Sequence, residues 1–253
     1  MARPARSDSE KRQGGMRAAA FLHVLAARLG VENPHQFAKR FDDMLGTSTQ
    51  TSGKWRLNFA GSQPLSAQQL KLLCRLDTNA YDLHERGPAD LWVAMWADER
   101  NLWQLCRTRL SPLGASLDDR IWREIADEFV EEKTFNATLS AFEDELLQAE
   151  AYGEPLLLRQ LTEAVALARL FQSLSALALL PIDGRAISRC MHICLNDRNI
   201  AAELRRYGIL DGVRQEVAHL SATTVAGTPV TEQWNALTPK LAWCGAQGKN
   251  FSR

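Results

Sequence analysis

The chain has 253 residues, of which 45% are hydrophobic and 24% charged, a composition typical of globular proteins with one large or two modest domains. Its formal net charge of zero conceals two parts of opposite sign: residues 1–76 carry 12 Lys and Arg against 5 Asp and Glu (+7), and the remainder carries 18 against 25 (−7). The sequence has no glycine-rich phosphate-binding motif, no G-x-S-x-G and no H-E-x-x-H, so we expect no cofactor and find no support for a nucleotide-using enzyme.

The N-terminal part begins with a polar segment and continues with a helical one. Residues 1–15 are polar with a basic excess and lack the apolar core of a secretory signal, so we predict a flexible arm. Alanine and leucine dominate residues 16–29, and this composition predicts a helix that ends at Gly30.

The pattern of residues 33–76 predicts three short helices. The pair Asn33-Pro34 is typical of a helix start, because Asn caps free N–H groups and Pro fits the first helical position. Apolar residues then recur at helical spacing until a glycine. A second run carries Trp55, which we predict to be a core residue at the helix junction, and Ser66 can cap a third run.

The order of residues in this stretch is informative: Gln36-Phe37-Ala38 on the first helix, Ser52-Gly53-Lys54-Trp55 leading the second, then Gly61, Pro64 and Leu70. At these positions the chain resembles the helix-turn-helix domains of the phage repressor and Cro superfamily, over residues 16–76 only. The gap from the tryptophan to the closing glycine is longer than is usual in that family, and so is the segment between the two helices. The resemblance implies a small helical head that reads duplex DNA.

Two groups of residues are predicted to contact DNA. One group would contact phosphates, which supply sequence-independent affinity; it consists of Lys39, Arg40, Lys54, Arg56 and Lys71. The other would lie nearest the base edges, where hydrogen bonds read the sequence; it consists of Thr49, Gln50, Ser52 and Asn58. A second interpretation of the charge stays open, in which the positively charged N-terminal part packs onto the acidic remainder of the chain.

The composition changes after residue 76. Residues 77–89 are polar and turn-rich and predict a linker; a helical body at 90–220 and a loosely ordered tail at 221–253 follow. The predicted helices of the body cover residues 89–110, 118–132, 136–152, 182–195, 198–207 and 210–220. Trp92, Trp96 and Trp103 fall on one face of the first helix, which favours core packing over a stacking surface for bases.

The most apolar segment of the chain spans residues 155–180. It is long enough to cross a bilayer, but Arg159, Glu163 and Arg169 interrupt it, and a charge deep in lipid is costly. We therefore predict a buried central helix and no membrane span. Because apolar residues surround most of this helix, we expect the body to form a homodimer over the surface that one subunit leaves uncovered.

Two short motifs in the body could carry chemistry. Cys190-x-His192-x-Cys194 offers too few ligands for a structural zinc site, so we predict no metal. Five scattered cysteines without a secretion signal are typical of a reducing cytoplasm. The pair Arg185 and His192 resembles the R-x6-H motif of the HEPN ribonucleases, and that resemblance implies an Arg/His pair that cleaves RNA at a dimer interface.

The sequence thus predicts an all-α protein with an N-terminal helix-turn-helix bundle and a C-terminal helical domain. The predicted role is a cytoplasmic, sequence-specific transcription regulator of bacterial or phage type that binds double-stranded DNA as a homodimer. Two alternatives stay open. One is a protein-interaction subunit of a bacterial defence or toxin–antitoxin assembly, and the other is a HEPN-like ribonuclease.

Overall fold

Helices make up the described part of the chain. The computed structural model describes residues 7–106, 132–176 and 184–226, and all regular structure in these ranges is helical, which confirms the all-α fold. The α-helices, in chain order, are α1 (Asp8–Arg28), α2 (Pro34–Leu45), α3 (Lys54–Phe59), α4 (Ala67–Leu73), α5 (Ala80–Arg86), α6 (Leu91–Trp96), α7 (Glu99–Cys106), α8 (Glu132–Tyr152), α9 (Leu158–Ala176), α10 (Gly184–Asn196), α11 (Arg198–Arg206) and α12 (Leu210–Ala226). Short 3-10 helices lie at Gln50–Ser52 and Pro88–Asp90.

Polar side chains cap α2 and α4 as their sequences predict. The Asn33 side chain accepts hydrogen bonds from the backbone N–H groups of His35 and Gln36. At the start of α4, Ser66 and Gln69 form a reciprocal capping box, in which each side chain accepts from the other residue's backbone N–H. The predicted starts of both helices are therefore confirmed.

The N-terminal segment is helical instead of a flexible arm. Helix α1 begins with a capping box between Ser7 and Glu10. Gly15 lies inside α1, at a point where this helix passes very close to the chain between α3 and α4. A Cβ atom added at Gly15 would lie only 1.9 Å from the carbonyl oxygen of Gly61. The glycine permits this close approach and does not break the helix. The predicted arm is therefore wrong for residues 8–15.

We expect Gly15→Ala to destabilise the protein, although alanine is the better helix former. Alanine gains about 1 kcal/mol of helix propensity over glycine. The new Cβ would have to displace the backbone of Gly61, and overpacking of this kind costs about 1–3 kcal/mol or more. An approach of 1.9 Å to backbone is severe and places the cost near the upper end of this range, about 3 kcal/mol, so urea unfolding should show a net loss of about 2 kcal/mol. Ser9→Ala, at an exposed position of α1, is the control. A Gly15→Ala variant as stable as the wild type would contradict the close approach.

The segment predicted as a linker folds as part of the head. Helix α5 lies within it, Ala80 is buried with the head core, and Leu83 packs against that core. The linker prediction for residues 77–89 is therefore wrong, because turn-forming residues flank a two-turn helix. The head core consists of buried residues from α1 to α5 and the loops between them, among them Phe21, Leu22, Phe37, Phe41, Trp55, Phe59, Leu73 and Ala80.

Helix α1 belongs to both halves of the molecule. Phe21 and Leu22 lie in the head core, whereas Met16 and Ala19 are buried in the core of the body. Met16 packs so closely against α12 that a Cβ atom at Gly212 would lie 2.4 Å from its sulfur. Because one helix supplies both cores, the head is packed directly on the body.

Helix α9 is the central helix of the body, as predicted. It packs against α6, α7, α10 and α12. Its apolar residues between 158 and 171 are buried within the one chain, including Leu161, Val165, Leu167, Leu170 and Phe171. The expectation of a homodimer over an uncovered side of this helix is therefore not met at these positions.

None of the described helices is long and apolar enough to cross a membrane.

The predicted helix at 89–110 consists of two helices, α6 and α7. The chain bends at Ala97, and the Asp98 carboxylate accepts a hydrogen bond of 2.9 Å from the backbone N–H of Asn101 at the start of α7. Trp92 is buried, as predicted, and its ring stacks on that of Trp96 at a centroid distance of 4.8 Å. The tryptophans of α6 therefore pack against each other instead of presenting a flat surface for bases.

Several predictions fall outside the described residues. They concern the side chain of Trp103, residues 118–131 of the helix predicted at 118–132, and the tail after residue 226. The tail prediction is corrected only at its beginning. Helix α12 continues to Ala226, so residues 221–226 are helical.

Candidate nucleic-acid interface

The turn between α2 and α3 closes around the carboxylate of Asp42. One carboxylate oxygen accepts hydrogen bonds from the hydroxyl groups of Thr47 and Thr49 at 2.6 and 2.8 Å. The other accepts from the backbone N–H groups of Thr49 and Gln50 at 2.7 and 2.9 Å. Partial burial acts to raise the pKa of the Asp42 carboxyl, but these hydrogen bonds outweigh it and hold the pKa below its ordinary value. The turn is therefore fixed by an ionised side chain.

Trp55 connects this turn to the head core. Its side chain is buried, and its ring contacts the rings of Phe37 and Phe41 at centroid distances of 5.2 and 4.8 Å. The indole Nε1 donates a hydrogen bond of 2.7 Å to the hydroxyl of Thr49, which in turn donates to Asp42. The prediction of Trp55 as a core residue at the helix junction is confirmed.

We expect Asp42→Asn to destabilise the protein in a pH-dependent way. The folded pKa is lowered, so the contribution of the carboxylate is fully present above its unfolded value near 3.8 and is lost as the pH falls through the folded pKa. The variant should lose about 1–3 kcal/mol at neutral pH, because the amide cannot accept all four hydrogen bonds. Urea unfolding from pH 7 to pH 2 should show the two proteins converging in acid.

The control for this experiment is Asp43→Asn, which changes the exposed neighbouring carboxylate and should have little effect. A stability difference between wild type and Asp42→Asn that is the same at every pH would contradict the role given to the charge of Asp42.

The residues predicted to read bases are largely used within the protein. Asn58 is buried; its amide donates to the backbone oxygens of residues 63 and 64, and its oxygen accepts from Gln69. The placement of Asn58 near base edges is therefore wrong. The Thr49 hydroxyl lies between Trp55 and Asp42, as described. Gln50 bonds to His35 at 2.9 Å, and the exposed Ser52 donates to a backbone oxygen.

The residues predicted to contact phosphates are all exposed. None of the five forms an ion pair with another described residue. The same is true of Arg75, an exposed residue beyond the end of α4 that was not among the predicted contacts. The Lys and Arg residues of α1 differ from these exposed cations in that each forms an ion pair with a carboxylate. The pairs are Lys11 with Asp8, Arg12 with Glu216, Arg17 with Glu85 and Arg28 with Asp77. Within the head, the unpaired cations thus lie on α2, α3 and near the end of α4.

The outer face of α3 is small and mixed in character. Trp55, Asn58 and Phe59 are buried, and a helix of 3.6 residues per turn then leaves Lys54, Arg56 and Leu57 facing solvent. Leu57 is 37% exposed, so the face is not uniformly charged.

The outer face of α2 is also mixed. Lys39 and Arg40 lie there with the exposed Asp43, and Met44 beside them is 48% exposed. From residue 33 to residue 76 the chain still holds six Lys and Arg against two Asp. We call the set of six exposed cations on α2, α3 and near the end of α4 the basic face; it consists of Lys39, Arg40, Lys54, Arg56, Lys71 and Arg75.

Two contacts in this region had no signal in the sequence. Asp42 bonds to residues five to eight positions further on, across an irregular turn whose path no periodicity predicts. His35 reaches Gln50 across fifteen positions for the same reason. Arg75 could have been included, because it lies in the third predicted helical run and carries the same charge as Lys71.

The two motifs of the body lie on α10. Cys190 and Cys194 are buried, and burial, with a smaller effect of Glu143, raises the pKa of the Cys190 thiol to about 12. His192 and Arg185 are exposed, seven residues apart and therefore on one side of the helix. Among the described residues no three His, Cys, Asp or Glu side chains come close enough together to hold a metal ion.

Comparison with known proteins gave no match. No family model matches the chain, no curated protein sequence matches it, and no solved structure matches it. The resemblance to repressor-type heads therefore rests on the quoted residues alone.

Proposed function

We propose that the head binds double-stranded DNA through the basic face and that the protein is a transcription regulator. The observation that carries this proposal is the set of six exposed cations without an ion-pair partner in the described chain. The repressor-like order of residues supports the same conclusion. The turn closed by Asp42 supports it further, because it fixes α3 relative to α2.

Phosphate groups bind unpaired cations at a lower free-energy cost than paired ones. A cation already paired with a carboxylate must lose that partner before it can bind a phosphate, whereas an exposed, unpaired Lys or Arg only exchanges water and counterions. Each neutralised phosphate releases condensed counterion, and this release drives binding in a salt-dependent way. The basic face is therefore suited to sequence-independent affinity.

Sequence-specific contacts would have to come from a few side chains at the edge of this face. Gln50 and Ser52 keep part of their hydrogen-bonding capacity, and Arg56 on α3 is a side-chain type that reads guanine. A helix of six residues reads few base pairs. We therefore propose that specific binding uses two copies of the protein on two half-sites. The few base pairs that one short helix can read are the main reason to expect a homodimer.

Binding of the whole chain to a labelled DNA duplex, measured by fluorescence anisotropy over a range of salt concentrations, tests the proposal. If all six cations contact phosphates, a plot of the logarithm of the affinity against the logarithm of the salt concentration should have a slope of about −5. Absence of binding at low salt, or binding indifferent to salt, would overturn the proposal.

One observation favours protein contact as an alternative. Leu57 and Met44 are exposed apolar residues beside the basic face, and an interaction subunit could use them in place of DNA contacts. Leu57→Ser separates the two functions, because loss of an apolar contact should leave a phosphate-driven interaction almost unchanged. A large loss of DNA affinity in Leu57→Ser would count against a mainly electrostatic interface.

The ribonuclease alternative has a single structural observation in its favour, the shared exposed side of Arg185 and His192 on α10. A second copy of the chain would be needed to bring two such pairs together. We expect the purified protein to leave RNA uncleaved. RNA cleavage that His192→Ala abolishes would reverse this ranking.

A further inference from the structure

A cavity of about 720 Å³ lies where α1 and the end of α3 meet the turn between α11 and α12. Both halves of the molecule form its wall. The head contributes residues of α1 together with Ala60 and Gly61, which follow the last residue of α3. The body contributes Arg205 from α11, the turn at residues 208–209 and the start of α12, including Arg214. Because both of these arginines are exposed, the cavity is open to solvent.

Two close contacts fix the body against the head at this cavity. A Cβ atom added at Gly208 would lie 2.7 Å from Nε2 of His23 on α1. Gly212 lies as closely against the side chain of Met16. The ring of His23 in turn packs edge-on against that of Phe59 of α3, at a centroid distance of 5.1 Å. The start of α12 is therefore held in a fixed position beside α3.

Two arginines on the wall of the cavity have no carboxylate partner. Arg205 and Arg214 form no ion pair with any described residue. Arg12 differs, because it is paired with Glu216 at 2.9 Å. The exposed Asp211 also lies on the wall. With Arg12 and Glu216 neutralising each other, two arginines against the carboxylate of Asp211 leave the cavity with an excess positive charge (2 − 1 = +1).

The cavity adjoins the side of α3 that carries Arg56. The backbone N–H of Ala60 donates a hydrogen bond of 3.0 Å to the carbonyl oxygen of Arg56, so the two residues lie one turn apart on the same side of the helix. One helical turn spans about 5.4 Å. Each strand of duplex DNA presents one phosphate for about every 3.4 Å along the axis. A strand that contacts Arg56 can therefore place its next phosphates at the mouth of the cavity.

We propose that this cavity receives the phosphate backbone of the bound DNA, so that Arg205 and Arg214 of the body bind phosphates beside the cations of α3. This inference rests on the proposed DNA binding and extends it from the head to the body. The planar guanidinium group suits the site, because its N–H donors match the geometry of phosphate oxygens. DNA is then held by both halves of the molecule, on either side of their contact.

Binding of the whole chain to a labelled DNA duplex, measured by fluorescence anisotropy over a range of salt concentrations, tests the inference. The wild-type salt slope should lie between about −6 and −7, steeper than six contacts provide, because the cavity adds one or two phosphates. In Arg205→Gln/Arg214→Gln the affinity at about 50 mM salt should fall about tenfold or more. The slope should become shallower by about 1–2. Arg205→Lys/Arg214→Lys keeps both charges and should retain most of the affinity and the full slope.

Replacement of Asp211 tests the same cavity in the opposite direction. Asp211→Asn removes the carboxylate beside the two arginines and should raise the affinity for DNA about two- to fivefold at low salt, because it removes a repulsion from phosphate. Glu154→Gln makes the same change of charge at an exposed residue between α8 and α9, outside the cavity wall. This control should bind DNA nearly as the wild type does.

Arg185→Gln/Arg198→Gln is the matched control for the double variant, because both residues are exposed on the body and neither lies on the cavity wall. All of these variants change exposed side chains, so their thermal midpoints should remain close to that of the wild type.

The outcomes separate this inference from the DNA proposal beneath it. Salt-dependent binding by the wild type, with unchanged affinity and slope in Arg205→Gln/Arg214→Gln, would overturn the role of the cavity and leave the basic face as the contact surface. Absence of salt-dependent binding by the wild type would overturn both. An equal loss in Arg185→Gln/Arg198→Gln, or equal gains in Asp211→Asn and Glu154→Gln, would assign the effect to overall charge and overturn the inference.

Discussion

Replacing Lys54 and Arg56 together by glutamine is expected to weaken duplex DNA binding by roughly a hundredfold near 50 mM salt. Both residues are exposed on α3 and have no ion-pair partner in the described chain. Each phosphate contact contributes about 0.9 to the salt slope, so the slope of the variant should be shallower by about 2. Because neither side chain supports the fold, the unfolding midpoint should hardly change.

A matched control separates a local contact from a general effect of charge. Arg185 and Arg198 are exposed arginines of the body, on α10 and at the start of α11, and changing both to glutamine alters the net charge by the same amount. This control should bind DNA nearly as the wild type does, because salt screens exposed charges that lie outside the contact surface. Equal losses in the two double variants would mean that the basic face is not the contact surface.

Trp55→Ala is expected to lower the free energy of unfolding by about 3–5 kcal/mol, the usual cost of truncating a large buried aromatic residue. Trp55 is 3% exposed and contacts two phenylalanine rings of α2. Its loss would also leave the Thr49 hydroxyl without its indole donor and loosen the turn that positions α3. DNA binding should therefore weaken along with stability, although the buried Trp55 would not contact DNA itself.

Two milder variants calibrate this prediction. Trp55→Phe keeps an aromatic ring and removes the Nε1–H donor, so its cost should be nearer about 1 kcal/mol. Leu57→Ala truncates the exposed neighbour two positions further on and should change stability by less than about 0.5 kcal/mol. An unchanged urea midpoint for Trp55→Ala would contradict the placement of Trp55 in the core.

The fold was predictable wherever local chemistry decides it. Asn33 before a proline and Ser66 before Gln69 mark helix starts through contacts over two or three residues, and both caps are present. The apolar content of α9 likewise predicts its central position, because such a helix must be covered on all sides.

Elements decided by distant contacts were not predictable. From the sequence alone, Gly15 suggests a break in the helix. In the structure it allows α1 to approach the backbone of Gly61, a contact between residues 46 positions apart. The turn-rich residues before α5 likewise suggest a linker, but the structure places Ala80 in the head core. In both places tertiary packing overrides local propensity.

The candidate site divides in the same way. The cations of the basic face could be selected from the sequence, because charged side chains at helix positions opposite the apolar stripe face solvent. Asn58 could not be assigned, because its burial depends on the loop at residues 63 and 64 folding back onto its amide. Thr49 was misassigned for a similar reason, since its hydroxyl is used by Trp55 and Asp42.

Lysine acetylation with and without duplex DNA, analysed by mass spectrometry at low salt, tests the central claim most directly. Lys39, Lys54 and Lys71 all lie on the basic face, whereas Lys11 on α1 is paired with Asp8 and serves as a control within the same molecule. We predict that DNA protects the three lysines of the basic face from acetylation and leaves Lys11 as reactive as before. Unchanged reactivity of all three in the presence of saturating DNA, or protection of Lys11 instead, would contradict DNA binding by the basic face.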